Sequence, residues 1–256
     1  MSFEANRPVK TSVKTFEIVE QLSRTDRIRL SQLAAELDES KGIVHNHLST
    51  LRELGYVRKT GDYYQLSPKF LSIGFRARSY SRLFTAAHAP LSEFVDRLDT
   101  GVVLCERAST ECIVTDVQRL PQRLDLTVGT PIPVSESLTG LVAAVSATDG
   151  APTVSAESTG ADYEPTAIRE AVAEQGYVVG PLTTSTSIDC VAVPIVDEAG
   201  DCCGSVGAVL PADRSEQRSV ELTEAAVGLR TRIESRLDSG WESTRSFATE
   251  KHSWIS

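Results

Sequence analysis

The sequence predicts an α+β protein of two domains: a small helical domain that ends in a β-hairpin, then a larger domain with helices on a sheet. Two observations predict it. Apolar residues recur at helical spacing through the first 55 residues, and a basic hairpin follows around the tight turn Thr60-Gly61-Asp62. Short β-rich runs then alternate with helical segments. With 256 residues, the chain is long enough for each domain to bury a core.

The first two helices are predicted from their apolar residues. A first helix is indicated by residues three apart, namely Val13, Phe16, Val19 and Leu22. Leu33, Ala34 and Leu37 indicate a second helix, which ends at Asp38-Glu39.

A third helix begins at Ser40, a good N-cap, and ends at Gly55. Val44, Leu48 and Leu51 form its buried stripe, with Ile43 and Leu54 at the edges. Its other face and the hairpin carry donor-rich side chains of the kind that reach base edges and phosphates. These candidate DNA-binding residues are Ser40, Lys41, Gly42, His45, Asn46, Ser49, Arg52, Arg58 and Lys59.

Three helices followed by a basic hairpin are typical of a winged helix-turn-helix domain. The alternative is a small packed helical subdomain without a nucleic-acid partner. The very short connection into Ser40 and the basic hairpin next to the third helix favour binding to double-stranded DNA.

The charge is unevenly distributed along the chain. The net charge is −9, which is the wrong sign for a protein that binds a polyanion. Residues 1–80, however, hold 13 Lys and Arg against 9 Asp and Glu, whereas residues 81–256 hold 13 against 26. This distribution favours contact with DNA at one end only. The acidic composition, with 6 Lys and 20 Arg, resembles that of proteins from salt-loving microbes.

The larger domain is predicted from the same patterns. A linker helix opens with Phe70, Leu71 and Ile73 and runs to about Leu83. Further helices are predicted over residues 86–98, 138–146, 168–175 and 215–238, the last with Val220, Ala225, Val227, Leu229 and Ile233 as its apolar residues. Strands are predicted over residues 102–105, 113–115, 124–128, 190–196 and 205–210, and a loop over residues 148–162.

The segment from Leu30 to Val57 resembles the DNA-binding domain of the IclR family of transcription regulators. Tyr64 to Gly74 is similar to that family's passage from wing to linker helix, and Cys190-Val191-Ala192-Val193-Pro194-Ile195 to its effector-domain signature. The resemblance implies a winged helix-turn-helix domain in residues 1–67, a linker helix in 68–84, and a GAF-like effector-binding and oligomerisation domain in 85–256. It further implies a homodimer, with a dimer of dimers as the alternative.

The same resemblance places an effector cavity near two segments of the chain. Its candidate residues are Ser135, Glu136, Ser137, Leu138, Gly140, Asp189 and Cys190. The family's usual His and Lys are absent from the first segment, and Glu136 and Asp189 favour a polyhydroxy or cationic small molecule over an acid. Ser135, Ser137 and Gly140 are expected to leave room for it. The alternative is that these are helix-cap and strand-end residues, so that the second domain of the DNA-binding dimer binds no ligand.

Catalysis is not expected, because no histidine falls within the strand region and no nucleotide-binding fingerprint is present. Neither a cofactor nor a metal is expected. Five cysteines without a C-x-x-C pair, and no signal peptide or membrane-spanning run, predict a cytoplasmic protein with reduced thiols. Cys105, Cys112 and Cys190 are expected to be buried. The adjacent Cys202 and Cys203 could be exposed and oxidisable, which leaves a thiol-based redox-sensing regulator as a further alternative.

Overall fold

The computed structural model describes residues 7–108, 111–122, 124, 126–147, 164–184, 186–210 and 216–238. The chain divides into two compact units, and the division falls between Ala77 and Arg78. In the described ranges, no helix is long and apolar enough to cross a lipid bilayer.

The first unit is a set of helices with a small antiparallel sheet. In chain order its elements are α1 (Lys10–Ser23), β1 (Ile28–Arg29), α2 (Leu30–Glu36), α3 (Lys41–Glu53), β2 (Val57–Thr60) and β3 (Tyr63–Leu66), followed by α4 (Lys69–Ser79), which runs across the division. The strand order is β1-β3-β2. We call β2, β3 and the turn between them the wing. The predicted winged helix-turn-helix fold is confirmed.

The predicted core face of α3 is correct, whereas that of α1 is partly wrong. Val44, Leu48 and Leu51 are buried together with Ile18 and Leu22 of α1. Val13 and Phe16, however, are exposed. A step of three residues falls about 60° short of a full helical turn, so residues three apart drift around the helix instead of staying on one face. Ile18 and Leu22, which lie four apart, keep their place against the core.

The second unit is a six-stranded antiparallel sheet with helices on both faces. Its elements are α5 (Arg82–Leu98), β4 (Val102–Ala108), β5 (Glu111–Gln118), β6 (Pro131–Pro133), a 3₁₀ turn (Val134–Glu136), α6 (Leu138–Val145), α7 (Pro165–Gln175), β7 (Val178–Pro181), β8 (Asp189–Val196), β9 (Cys202–Val209) and α8 (Glu216–Asp238). The strand order is β6-β5-β4-β9-β8-β7.

Side chains that alternate along the central strands build a core on each face of this sheet. Val103 and Cys105 pack with α6 on one face, whereas Val102 and Leu104 pack with α5 and α8 on the other. The α+β fold with a central sheet is therefore as predicted. In α8, Leu229 and Ile233 are buried as expected, but Val220 is exposed.

Several elements differ from the prediction. The linker helix ends at Ser79 and a new helix begins at Arg82, where the Ser81 hydroxyl accepts a hydrogen bond from Phe84 N at 3.0 Å. The expected strand over residues 124–128 is wrong, since the described residues there form no strand and the chain pairs with β5 at residues 131–133 instead. Strand β7 was not predicted. The expected loop over residues 148–162 lies outside the described residues.

Candidate nucleic-acid interface and effector region

Helix α3 presents its predicted polar face to solvent. Ser40 caps the helix, because its hydroxyl accepts a hydrogen bond from Ile43 N at 3.3 Å. Lys41, Gly42, His45 and Asn46 are exposed. Within the described part of the chain, the Asn46 amide and the His45 ring make no hydrogen bond, so both remain available to a partner. His47, by contrast, is hydrogen-bonded: its Nδ1 lies 2.9 Å from the Thr15 hydroxyl, and this bond links α3 to α1.

The last turns of α3 and strand β2 enclose a surface groove of about 610 Å³. Four of the predicted DNA-binding residues line it, namely Ser49, Arg52, Arg58 and Lys59. Glu53 lines it too and reduces its positive charge. The Ser49 hydroxyl donates a hydrogen bond to the His45 carbonyl at 2.8 Å, which leaves its oxygen as an acceptor only. The cationic groups in the groove are thus placed beside the exposed face of α3.

Aromatic rings hold several basic side chains of this unit. Lys59 Nζ lies 5.4 Å from the centroid of the Tyr64 ring, and Lys69 Nζ lies 4.4 Å from that of Tyr56. Lys69 also donates a hydrogen bond to the Leu54 carbonyl at 2.8 Å, at the negative end of α3. Arg27 and Arg29 were missed by the sequence reasoning. Their alternation around Ile28, just before α2, was the signal that could have found them.

The first predicted effector segment forms the start of α6. Ser137 is fully buried, and its hydroxyl caps α6 by accepting a hydrogen bond from Gly140 N at 2.9 Å. Gly140 does not leave room for a guest. A Cβ atom at this position would lie 2.8 Å from the Ser137 hydroxyl and 3.0 Å from the Val134 carbonyl. The expected space at Gly140 is therefore wrong, because the backbone of the 3₁₀ turn occupies it.

Residues 182–184 and 186–188 lie between β7 and β8, and two of them, Leu182 and Thr184, bond to the start of α6. Leu138 N donates to the Leu182 carbonyl at 3.1 Å, and Thr184 N donates to that of Glu136 at 3.0 Å. The side chain of Glu136 is exposed and that of Ser135 is half-buried. The start of α6 is thus held against these residues by its backbone.

The second predicted segment reaches the first through β7. Gly180 pairs with Cys190 in the sheet, and a Cβ on Gly180 would lie 3.5 Å from Leu138. Cys190 is fully buried, whereas Asp189 is half-buried at the start of β8. The structure therefore brings both predicted segments into one region of the second unit.

Buried polar groups beneath α6 satisfy one another. The Ser205 hydroxyl donates to the Thr139 carbonyl at 2.7 Å, and the Thr139 hydroxyl lies 3.4 Å from Cys105 Sγ and 3.3 Å from the Ser137 hydroxyl. A Cβ on Gly207 would lie 2.8 Å from the Thr139 methyl group, so this glycine lets α6 approach the sheet closely. The arrangement is a packed polar cluster, and it explains why α6 is buried along nearly its whole length.

His88 contacts the strand region, which its position in the sequence did not suggest. Its Nδ1 lies 2.7 Å from Asp116 Oδ2 on β5, because α5 packs on that strand. Arg78 Nη2 lies 3.6 Å from the other oxygen of Asp116, and its guanidinium covers the Phe84 ring at 4.0 Å. The Asp116 carboxylate is buried and also accepts from Gln118 Nε2 at 3.0 Å. It therefore joins the end of α4 to α5 and β5.

The cysteines are poorly suited to redox chemistry. Burial raises the pKa of Cys105 and of Cys202 to about 11 and that of Cys112 to about 12, and it raises the pKa of Cys190 as well. Cys202 is buried, which corrects the expectation of an exposed pair, and Cys203 is half-buried with a raised pKa. Thiolates, the reactive form, are therefore disfavoured near neutral pH.

The helices of the first unit and the basic wing beside α3 are those of a winged helix-turn-helix domain. Residues 12–61 match the IclR helix-turn-helix domain family. A probable HTH-type transcriptional regulator ArcR of Halobacterium salinarum is 24% identical over 236 residues, which cover 81% of this chain and 85% of that protein.

Solved structures share the fold of about nine tenths of the chain. An IclR transcriptional regulator of Alicyclobacillus acidocaldarius has a TM-score of 0.72 at 17% identity, over 90% of this chain and 100% of its own. An IclR homologue of Microbacterium hydrocarbonoxydans, complexed with 4-hydroxybenzoate, has a TM-score of 0.69 at 18% identity, again over 90% and 100%. The chain thus contains an IclR-type helix-turn-helix domain, and its fold is that of solved IclR-family structures.

Proposed function

We propose that this chain is a homodimeric transcription regulator whose affinity for operator DNA changes when a small molecule binds to its second domain. The observation that carries the DNA-binding part is the exposed face of α3, where Asn46 and His45 have no partner within the described residues and cationic side chains lie beside them. An α-helix of this kind fits the major groove, and base edges there are the groups that Asn can read.

Asn46 is the residue proposed to read sequence. An Asn amide can make two hydrogen bonds to adenine, which are worth about 1 to 3 kcal/mol of discrimination. We expect Asn46→Ala to weaken binding to a selected operator duplex far more than binding to a scrambled duplex of the same length. The measurement is a titration of both duplexes at one salt concentration. Equal losses on the two duplexes would remove Asn46 from base reading.

Lys59 is proposed to contact a phosphate from the groove beside α3. Each lost phosphate contact reduces the magnitude of the negative slope of log K against log salt concentration by about 0.9. We expect Lys59→Ala to make this slope shallower and to weaken both duplexes alike. The matched control is Arg97→Ala, which removes one positive charge from the second unit. A slope equal to that of the wild type would exclude Lys59 from the interface.

The proposed dimer rests on apolar residues that a single chain leaves exposed. Val9, Val13 and Phe16 lie along one side of α1, and α4 has no buried residue while exposing Leu71 and Phe75. The predicted contribution of residues 86–98 to the dimer interface has less support. Their apolar stripe, with Leu91, Phe94 and Val95 among its members, packs against the sheet and α8 of the same chain. A dimer would present two recognition helices to major grooves about 34 Å apart.

The proposed effector region is bounded by the start of α6 and by residues 182–184 and 186–188. The candidate residues with exposed or half-buried side chains there are Glu136, Ser135 and Asp189. We therefore propose that these three side chains bind and orient the small molecule. The other four candidate residues are buried and support this region structurally, namely Ser137, Leu138, Gly140 and Cys190. Two carboxylates disfavour an anionic small molecule, because like charges repel each other.

A thermal-shift comparison tests this assignment. The probes are 4-hydroxybenzoate, the acid bound by the Microbacterium relative, and neutral polyols and polyamines of similar size. We expect the polyol or polyamine set to stabilise the wild type more than the acid does, and Glu136→Gln to reduce that difference. Glu221→Gln, an exposed glutamate of α8, is the matched control.

The rival function is a DNA-binding dimer whose second domain binds no ligand. The close packing around Gly140 and the mutually satisfied polar groups beneath α6 favour it. Under this alternative, no probe shifts the melting temperature of the wild type or changes its affinity for the selected duplex.

A further inference from the structure

Two arginines, one in strand β1 and one just before it, lie on the solvent face of the three-stranded sheet β1-β3-β2, which we call the wing sheet. Ile28 lies between them and is buried opposite Tyr64. Because side chains alternate across a strand, Arg27 and Arg29 project from the opposite face, where both are exposed. Arg29 is the direct partner of Tyr63 in the central strand β3, and Thr60 of β2 is the partner of Tyr63 on its other side.

Both guanidinium groups lie over the same aromatic ring. The Cζ atoms of Arg27 and Arg29 are each 4.9 Å from the centroid of the Tyr63 ring. Contacts of this kind are attractive, because the negative face of the ring meets the cation. They also restrict two long side chains that would otherwise lose much rotamer freedom on binding a partner.

Two like charges held at one ring repel each other, and an anion bound between them would offset that repulsion. Within the described part of the chain, neither Arg27 nor Arg29 forms an ion pair, and the nearby carboxylates of Asp26 and Asp62 are not within salt-bridge distance of them. Lys14 of the same unit, by contrast, is paired with Glu17 and Glu39.

We propose that Arg27 and Arg29, stacked on Tyr63, form a clamp that binds backbone phosphates of operator DNA outside the segment read by α3. This proposal rests on the proposed function, because it assigns a second contact to the same DNA. Guanidinium groups match phosphate oxygens in a bidentate geometry, and contacts of this kind fix the register of a protein on the duplex without reading its sequence. The clamp and Lys59 lie on opposite faces of the wing sheet, because the strand partner of Lys59 is Tyr64 and not Tyr63.

The double variant Arg27→Ala/Arg29→Ala tests the clamp in the full-length protein. The probes are a duplex selected by the wild type from a random library and a scrambled duplex of equal length. We expect the negative slope of log K against log salt concentration to become shallower by about 1.8, which corresponds to two phosphate contacts. Both duplexes should lose affinity in the same proportion. Arg97→Ala in the second unit is the matched control and should keep the wild-type slope.

Substitutions of Tyr63 separate the effect of the aromatic ring on DNA binding from the effect of the two arginine charges. Tyr63→Phe keeps the aromatic face and should keep the affinity. Tyr63→Leu removes it and should weaken both duplexes while the slope stays near that of the wild type, because the two charges remain. A melting curve of each variant confirms that the first unit is folded.

Three results would overturn the clamp. The first is an unchanged salt slope in the double variant while the wild type still prefers the selected duplex, which leaves the proposed function intact. The second is a loss that depends on the A·T content of the flanks, which would make these arginines minor-groove readers. The third is a Tyr63→Leu variant that binds as the wild type does. A wild type that prefers no duplex at all would instead refute the proposed function.

Discussion

Asp116 is a buried carboxylate that holds side chains from three elements at one point of the second unit. It accepts from Gln118 on its own strand, and it lies beside His88 of α5 and Arg78 of α4. Buried carboxylates cost free energy when they lack partners and stabilise a fold when several donors surround them. At the scale of single residues, this cluster is therefore where a small change should have the largest effect on the end of α4.

Removal of the Asp116 carboxylate should destabilise the second unit. Asp116→Ala leaves a half-buried guanidinium without its carboxylate, and we expect a loss of about 2 to 3 kcal/mol in the free energy of unfolding. The control is Asp96→Ala. Asp96 also pairs with an arginine, Arg119 at 3.4 Å, but is largely exposed, so its loss should be about 0 to 1 kcal/mol. Urea titrations measure both variants, and equal losses would contradict the structural role of Asp116.

The buried thiols make the second unit sensitive to alkaline pH. The thiols of Cys105 and Cys202 have an ordinary pKa of 9.0 in the unfolded chain, and burial raises it to about 11 in the folded chain. Between pH 9 and 11 these thiols are therefore deprotonated in the unfolded chain and still protonated in the folded one. The stabilisation by the neutral thiol is therefore complete below pH 9 and declines by about 1.4 kcal/mol per pH unit for each thiol as the pH rises to 11.

Cys105→Ala tests this dependence. We expect the variant to show a shallower decline of the unfolding free energy between pH 9 and 11, whatever its stability at pH 7. Tyrosine and lysine side chains titrate in the same range in both proteins, so the difference between the two slopes isolates the thiol. Parallel curves would show that the Cys105 proton does not contribute.

At the scale of elements, the sequence predicts best those helices in which regularly spaced apolar residues define the buried face. Helix α3 was predicted with its bounds, its cap at Ser40 and its core residues, because a stripe at spacings of three and four defines one face. The face of α1 was partly wrong because Phe16, an apolar residue, is exposed. Strand β7 was missed, since Gly180 and Pro181 lower the β propensity and its pairing with β8 is a tertiary contact.

The candidate sites follow the same rule. The exposed residues of α3 could be predicted because they share one helix face, whereas Arg27 and Arg29 required the pairing of β1 with β3. The close approach at Gly140 depends on where the 3₁₀ turn lies, and no local pattern reveals that.

Gly140 is an element-scale test of how tightly α6 is anchored. Gly140→Ala places a Cβ 2.8 Å from the Ser137 hydroxyl that caps the helix, and we expect a loss of about 1 to 3 kcal/mol in the free energy of unfolding. Gly228→Ala in α8 is the matched control. A Cβ there meets nothing within 4 Å, so the substitution should stabilise the helix by about 0.5 to 1 kcal/mol. Stabilisation by both substitutions would contradict the close packing of α6.

At the scale of the whole molecule, the chain combines a basic first unit with an acidic second one. Like charges repel, so an acidic domain beside a polyanion limits the contact with DNA to the basic end. A single first unit offers one recognition helix and few cations. Two linked units bind far more tightly than one, because the second binding event occurs at a high effective concentration. Affinity for an operator with two half-sites therefore depends on the dimer that the exposed apolar residues are proposed to form.

Phe16→Glu tests the dimer directly. Phe16 is 63% exposed in the single chain, so the substitution should leave the first unit folded while placing a charge in an apolar interface. We expect the variant to sediment as a monomer of 27.7 kDa, where the wild type sediments as a dimer. Its affinity for a duplex with two half-sites should fall by about 10² to 10⁴, while its affinity for a single half-site stays unchanged.

The matched control for Phe16→Glu is Val128→Glu, which adds a charge at an exposed apolar residue of the second unit and should leave the protein dimeric. If Phe16→Glu sediments with the wild type, then α1 does not contribute to the interface, and Phe75→Glu on α4 becomes the next variant to measure. If both variants stay dimeric and bind two half-sites as the wild type does, neither helix holds the dimer, since a buried glutamate without a partner would separate the chains.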